Sequence, residues 1–500
     1  MSTTLDVAGV DTLEQDAFEV LRLIRSWRNI FCPINRVPPE VLALIPDFWE
    51  AMYRDGGVIA LTHVCQTWRE VFTSRSSLWT DFECVDADKT RTYLERSKSS
   101  PIDLSLIRDD DLSPNDPLLL VVPQAIGRLK HLCVEATPEN LQDITVHLTH
   151  PAPLLESLSV DGGCKSRPGR NPILTAALFS GDLTSLHALH LQSVRTELAW
   201  RNMANLTSFG LYHMLPTDAT FGRLLDFFES APRLRSIDLR SATSVSGARN
   251  GRLVSLACLR RMEIAGDGPS SLLLNYLLIP VGAKLKIEVP SRGPLIDHHL
   301  PMYLDNLKNL PDFTKINLHV DSVCPRIRFA GPNGEVSMVS MYPRVEINRQ
   351  VFASLTQLDT SKVQRMEISR ANPLSADITL RALLPMENLR KLVLFQLENL
   401  WTFIHTLHPS LLTSNVTVCP KLEELVLVFH PGGDPHRHIE TATRMAEARA
   451  SKGSKLKYIR IVHQGGLRPA ETWELRQYVF KVDFGDHGIE EADDDGNEED

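Results

Sequence analysis

The chain has 500 residues, 43% of them apolar and 23% charged, a balance that fits a folded protein and excludes disorder as the main state. It carries 53 basic and 62 acidic residues, a formal net charge of −9, and nine of the acids fall in 486–500, so the rest is close to neutral. A near-neutral body offers no general field for nucleic acid, and there is no run of about eighteen apolar residues to cross a membrane. The start Met1-Ser2-Thr3-Thr4-Leu5-Asp6 lacks the basic and apolar parts of a signal peptide, so a cytoplasmic or nuclear location is expected, with no membrane and no nucleic-acid partner. The cysteines at 32, 65, 84, 133, 164, 258, 324 and 419 stand singly without a C-x-x-C pair, and each is expected as a small buried apolar residue.

From Thr12 to Phe31, Leu13, Ala17, Val20, Leu21, Ile24 and Trp27 form one helical stripe, with Thr12 and Gln15 at capping-box spacing. This predicts an amphipathic lead-in helix over 1–31. Its apolar face is expected to rest on the next segment, with pairing to another chain as the alternative. Pro38-Pro39-Glu40 then opens a helix, because the first turn leaves its N–H groups unpaired in any case. Val41, Leu42 and Ile45 make one stripe, and Leu61, Val64, Cys65, Trp68, Val71 and Phe72 make a second, so two short amphipathic helices are expected within 32–83.

These residues resemble the F-box, the helical module that docks its protein onto the Skp adaptor of a cullin-RING ubiquitin ligase. The resemblance rests on Val37-Pro38-Pro39-Glu40-Val41-Leu42, on Leu61-Thr62-His63-Val64-Cys65-Gln66-Thr67-Trp68-Arg69 and on Ser77-Leu78-Trp79, roughly a tenth of the chain. It departs from the family at Val37, where leucine is usual, and in the long, broken segment that contains Pro46 and Asp55-Gly56-Gly57. It implies adaptor contact through Pro38, Pro39, Leu42, Ile45, Leu61, Val64, Trp68, Leu78 and Trp79.

After Trp79 the pattern changes. A helix over 86–97 is followed by the alternating strand Pro101–Leu106, and then an apolar-x-x-apolar-x-apolar signature recurs. It starts at Leu129, Leu155, Leu186, Leu206, Leu234 and Leu259, and again at Phe313, Val363, Leu389, Leu422 and Leu456. The spacings, 26, 31, 20, 28 and 25 in the first block and 26, 33 and 34 in the last, lie near those of leucine-rich repeats. These units resemble irregular leucine-rich repeats, without the asparagine or cysteine that usually follows the signature.

The fold expected is therefore α/β: an N-terminal all-α F-box followed over 84–484 by an irregular leucine-rich-repeat solenoid, parallel strands inside and helices outside. An ordinary α/β domain whose strands happen to match is the alternative. Leu272-Leu273-Leu274 and Leu285–Val289 read as a decayed unit. Around Gly331-Pro332-Asn333-Gly334 a β-hairpin insertion is expected near 324–342, either a partner-contacting decoration or, favoured, a tolerated insertion. Glu474–Phe484 is expected to cap the array, and the acidic tail over 485–500 to be disordered.

No phosphate-binding glycine loop, G-x-S-x-G or H-E-x-x-H is present, so no catalytic residue, metal or cofactor is expected. His430, His436 and His438, flanked by two prolines and two glycines, read as a surface loop, and Asp109-Asp110-Asp111 as a loop and helix cap. Asn205-Leu206-Thr207 and Asn415-Val416-Thr417 match glycosylation acceptors, which an intracellular chain does not use. Strand positions pointing away from the core form a candidate substrate face: Ser236, Asp238, Arg240, Arg261, Glu263, Lys315, Asn317, His319, Arg365, Glu367, Tyr458 and Arg460. Both signs of charge there favour a protein partner over a polyanion. The function implied is that of a substrate receptor, the Skp adaptor and through it a cullin on one side and a protein substrate on the other. The alternative is a leucine-rich-repeat scaffold that recruits no ligase.

Overall fold

The computed structural model describes residues 7–49, 57–84, 87–108, 122–163, 172–175, 177–196, 203–213, 221–240, 252–266, 271–289, 300, 304–310, 312–319, 326–340, 352, 355–356, 358–370, 376–397, 400–408, 417–429, 435–463 and 473–485. The chain forms two compact units, 1–205 and 206–500.

The first unit begins with α1 (Val7–Ile30), whose apolar residues from Val10 onward stand exposed. The expectation that this stripe rests on the following segment is therefore corrected. Four short helices follow: α2 (Pro39–Leu42), α3 (Ile45–Trp49), α4 (Gly57–Thr62) and α5 (Gln66–Ser74). The second expected helix breaks at His63-Val64-Cys65, and Cys65 turns to extended backbone as the N-cap of α5. Strand β1 (Asp81–Glu83), which the sequence pattern did not disclose, lies inside the interval assigned to the helices. After α6 (Ala87–Arg96) come β2 (Ile102–Arg108), β3 (Leu129–Ala136), β4 (Ser157–Asp161), β5 (Ile173–Leu174), β6 (Ala188–Gln192) and β7 (Arg195–Thr196).

Strands β1, β2, β3, β4 and β6 pair in parallel in that order, and β5 pairs separately with β7. The register lines up Leu104, Leu132, Leu158 and Leu189 in one rung and Leu106, Val134, Val160 and Leu191 in the next. All eight are buried. Because side chains on a strand alternate in direction, the residues between them face the other way.

The second unit has β8 (Ser208–Tyr212), β9 (Ser236–Arg240), β10 (Val254–Ser255), β11 (Arg261–Ala265), β12 (Leu277–Leu278), β13 (Lys284–Val289) and β14 (Lys315–His319). It continues with β15 (Arg326–Gly331), β16 (Gly334–Ser340), β17 (Arg365–Ser369), β18 (Lys391–Phe395), β19 (Glu424–Val428), β20 (Tyr458–Val462) and β21 (Lys481–Gly485). The parallel runs are β8-β9-β11-β13 and β14-β17-β18-β19-β20-β21. The segment read as decayed supplies β13, which pairs over five residues with β11.

Strands β15 and β16 form an antiparallel hairpin, and the hairpin joins the two parallel runs. Its β16 pairs in parallel with β13 and its β15 antiparallel with β14, so one apolar rung runs Leu285, Val336, Phe329, Ile316, Met366. The turn leaves no room for a side chain at Gly334, where φ is +127° and a Cβ would lie 2.7 Å from the Ala283 carbonyl oxygen. The insertion is thus a structural member of the sheet.

Local geometry repeats from strand to strand. Before seven strands the chain makes the same i to i+3 turn, with N–H···O distances of 3.0–3.2 Å: Leu155 to Ala152, Leu186 to Leu183, Leu234 to Ala231, Leu259 to Leu256, Val363 to Thr360, Leu389 to Met386 and Leu422 to Cys419. The next residue donates sideways to its counterpart in the preceding strand segment, as from Arg390 to Gln364 (2.8 Å), Glu423 to Arg390 (2.9 Å) and Lys457 to Glu423 (2.9 Å). A left-handed residue follows β6, β8, β17 and β18, at Ser193, His213, Arg370 and Gln396.

Helices pack on the apolar side. Phe209 meets Phe227 and Phe228 of the helix Phe221–Ser230 at centroid distances of 4.5 and 6.3 Å. His436 and His438 lie on the helix Pro435–Ser451 and not in a loop, because Pro435 takes the first helical position, where a missing N–H costs nothing. His438 is buried against Phe429. A short helix, Leu475–Tyr478, leads into β21, the last strand of the ladder. Cys84 and Cys419 are buried, but Cys258 is exposed and Cys32, Cys65 and Cys133 half-buried, against the expectation for all of them. Cys164, Cys324, Asp109-Asp110-Asp111, His430, Asn415-Val416 and the tail 486–500 lie outside the described residues.

Candidate functional site

Two surfaces stand out, one in each unit. In the first, Leu42, Leu61, Trp68 and Phe72 close into a small core, with Ile45, Val37, Cys65, Val71 and Leu78 packed at its edge. Leu42 is fully buried and Trp68 is 9% exposed. Asn35 fixes that indole: its Oδ1 accepts from Trp68 Nε1 at 2.9 Å, while its Nδ2 donates to the Asn29 carbonyl at 2.8 Å. Trp79 is fully buried in a separate place. Its Nε1 donates to the Phe72 carbonyl at 2.9 Å, Tyr93 meets it edge-on at 5.0 Å, and the Arg96 guanidinium lies 4.3 Å from its ring.

Of the residues assigned to adaptor contact, Leu42, Leu61, Trp68 and Trp79 are therefore interior. Helices of four to nine residues have no other source of a core, so the conspicuous apolar stripe is consumed within the module. Ile45 and Leu78 are half-buried, and Pro38, Pro39 and Val64 are exposed. Three further apolar side chains, Val41, Leu44 and Phe48, are also left outside, Phe48 at 86%. Sequence periodicity put Val41 with the buried stripe, but the short helix α2 places it in solvent; Leu44 and Phe48 had gone unremarked.

In the second unit the strand positions opposite the core line up in rows. Asp238, Glu263 and Lys286 share one row, and Arg240 and Glu288 flank it. The Tyr212 hydroxyl donates to Asp238 Oδ2 at 2.9 Å, and Arg240 bridges Asp238 (3.1 Å) and Glu263 (3.1 Å). Arg261 and Lys286 also reach Glu263, the latter at 3.6 Å. Burial by itself would push the Glu263 carboxyl up, but the Arg261 hydrogen bond and the charges of Lys286, Arg261 and Arg240 hold it below the usual carboxylate value of 4.5. Burial and the bond to Asp238 push the Tyr212 hydroxyl up to about 12. Glu263 is thus removed as a contact residue, since its own cations cover it.

Farther along, Arg261, Lys315 and Arg365 are exposed, and Asp238, Arg240, Asn317, Glu367, Tyr458 and Arg460 are half-buried. Lys315 stands opposite Arg365, and Asn317 opposite Glu367. His319 Nδ1 and Ser369 Oγ are 2.8 Å apart. The face also carries a cluster missed in the sequence: Val393, Val426, Val428 and Val462, with half-buried Phe395, on the strand side opposite the main core. The signal was there in consecutive apolar residues, as in Leu425-Val426-Leu427-Val428, which a two-faced strand in contact with water on one side does not carry.

Among the described residues no group of three His, Cys, Asp or Glu side chains is placed to hold a metal ion, and no helix is long and apolar enough to cross a membrane. No protein-family model matches the chain, and no curated protein matches it.

Proposed function

We propose that this chain is a substrate-recognition subunit of a Skp-cullin-F-box ubiquitin ligase. The observation that carries the reading is the set of apolar side chains left outside a closed helical core: Pro38, Pro39, Val41, Leu44, Phe48 and Val64. A partner that covered them would take this apolar surface out of water. In this reading they meet the Skp adaptor, while Leu42, Leu61, Trp68 and Trp79 keep the module folded.

The parallel ladder is the irregular leucine-rich-repeat solenoid of the same reading. Its support is the turn before the strand, the sideways bond and the left-handed residue after it, which recur along the two parallel runs and in the first five-stranded run, though not at every strand. The exposed and half-buried side chains Arg261, Lys315, Asn317, Arg365, Glu367, Tyr458 and Arg460 receive a protein substrate. The chain does no bond chemistry; it raises the rate of ubiquitin transfer by holding substrate and charged carrier together.

Affinity purification of the full chain from cells tests this against the scaffold alternative. Skp adaptor and cullin recovered together, and lost with Val41→Asp plus Leu44→Asp, are expected. A stoichiometric partner without cullin makes the chain a scaffold.

A further inference from the structure

Helix α1 runs for 24 residues and spans about 36 Å. Val10, Leu13, Ala17, Val20, Ile24, Trp27 and, just past its end, Phe31 recur at alternating spacings of three and four. That is the a/d spacing of a coiled-coil seam. Every residue of the seam is exposed, Trp27 at 71%. A solitary helix of this length is marginal in water and draws most of its stability from burying such a face.

Two features decide what covers it. The charges are segregated: Asp11, Glu14, Asp16 and Glu19 occupy the first half, and Arg22, Arg25 and Arg28 the second. A copy of the same helix laid antiparallel sets each acidic half against a basic half, whereas a parallel copy sets like against like. The seam also fits itself in one antiparallel register. Ala17 then faces Trp27 of the other copy, Val20 faces Ile24 and Leu13 faces Phe31, so the smallest residue meets the largest. In that register Glu14 lies beside Arg28 of the other copy, and Leu21 and Leu23 each meet themselves at the two-fold axis.

We infer that the α1 seam pairs with the α1 seam of a second copy as an antiparallel two-helix coil, making the protein a two-fold dimer. The same charge order also suits the dipole of a lone helix, and the test separates the two. The mass of the full chain by sedimentation at micromolar concentration is expected to be twice 56.1 kDa, and Leu13→Asp plus Ile24→Asp to give the monomer. These positions lie in solvent within one chain, so the rest of the fold is unaffected, which circular dichroism checks.

Glu14→Arg places like charges at both ends of the coil and should weaken the dimer roughly tenfold. Adding Arg28→Glu to the same chain restores it, although the doubly exchanged helix opposes its own dipole. Mixing the two single variants should give a heterodimer tighter than either variant alone. A monomer at tens of micromolar, a dimer indifferent to Leu13→Asp plus Ile24→Asp, or a double exchange that fails to restore the dimer overturns the inference.

Discussion

Arg449 is the largest fully buried cation of the second unit, and replacing it tests how the repeats are joined. It lies in the last turn of the helix Pro435–Ser451, where Nη1 donates to the Val418 carbonyl at 2.9 Å and Nη2 to the Cys419 carbonyl at 2.8 Å. Those carbonyls belong to the turn that leads into β19, and burial lowers the guanidinium pKa from its ordinary value. Arg449→Met keeps most of the stem volume and removes both bonds. Each bond from a charged donor contributes about 1.5–3 kcal/mol, and the released cost of burying the charge offsets part of their sum. A net loss of about 2–3 kcal/mol is expected, a fall in Tm of roughly 3–5 °C for a unit of this size.

A local readout accompanies it. Burial pushes the Cys419 thiol up to about 12, and Sγ donates to the Leu383 carbonyl at 3.4 Å, so alkylation there requires the turn to open. Peptide-resolved alkylation at neutral pH should show Cys419 protected in the native chain and labelled faster in Arg449→Met, with exposed Cys258 as the reference. An unchanged Tm together with an unchanged Cys419 rate would refute the reasoning, because the charge would then cost as much as its two bonds return.

Acid stability follows from Glu263. Its folded pKa is depressed, so its contribution is present above the ordinary value of 4.5 and is lost as pH falls through the lower folded value. Urea midpoints between pH 3 and 7 should therefore drop on the acid side, and Glu263→Gln should lower the neutral plateau and flatten that drop. Deleting 326–340 should destabilise the second unit by several kcal/mol in urea, since β13 and β14 each lose a paired neighbour; a decorative hairpin would come away at no cost. Leu42→Ala should unfold the helical module, at about 2–4 kcal/mol for a fully buried leucine, and so abolish any binding indirectly. Loss of module helicity by circular dichroism distinguishes that from loss of a contact.

The strands were legible because their signature encodes both a period of two and a fixed offset from the turn before it. Each starting residue from Leu155 to Leu456 sits two positions before its strand, while Leu129 is the first residue of its own. The turn itself had a sequence mark that went unused, an Ala, Leu, Thr, Met or Cys three positions before the signature, as in Ala231-Pro232-Arg233-Leu234 and Cys419-Pro420-Lys421-Leu422. The place of the hairpin was not legible, since the pairing of β16 with β13 joins residues about fifty apart and depends on the whole sheet.

In the helical module the stripe was plain, but periodicity says which side chains share a face and not what covers them. Leu42 and Trp68 turned out to cover each other, and the break at His63-Val64-Cys65 was hidden because apolar spacing continues through it. The three residues of β1 are too few to show alternation. Alternation placed Glu263 on the open face, and only the pairing of neighbouring strands brings Arg240, Arg261 and Lys286 over it.

Titration calorimetry of the purified full chain with purified Skp adaptor tests the central claim most directly. The account predicts one adaptor per chain, heat that vanishes for Val41→Asp plus Leu44→Asp, and an unchanged circular dichroism spectrum for that variant, both positions being exposed. Absence of heat with the unmodified chain, or undiminished binding by the variant, would contradict it.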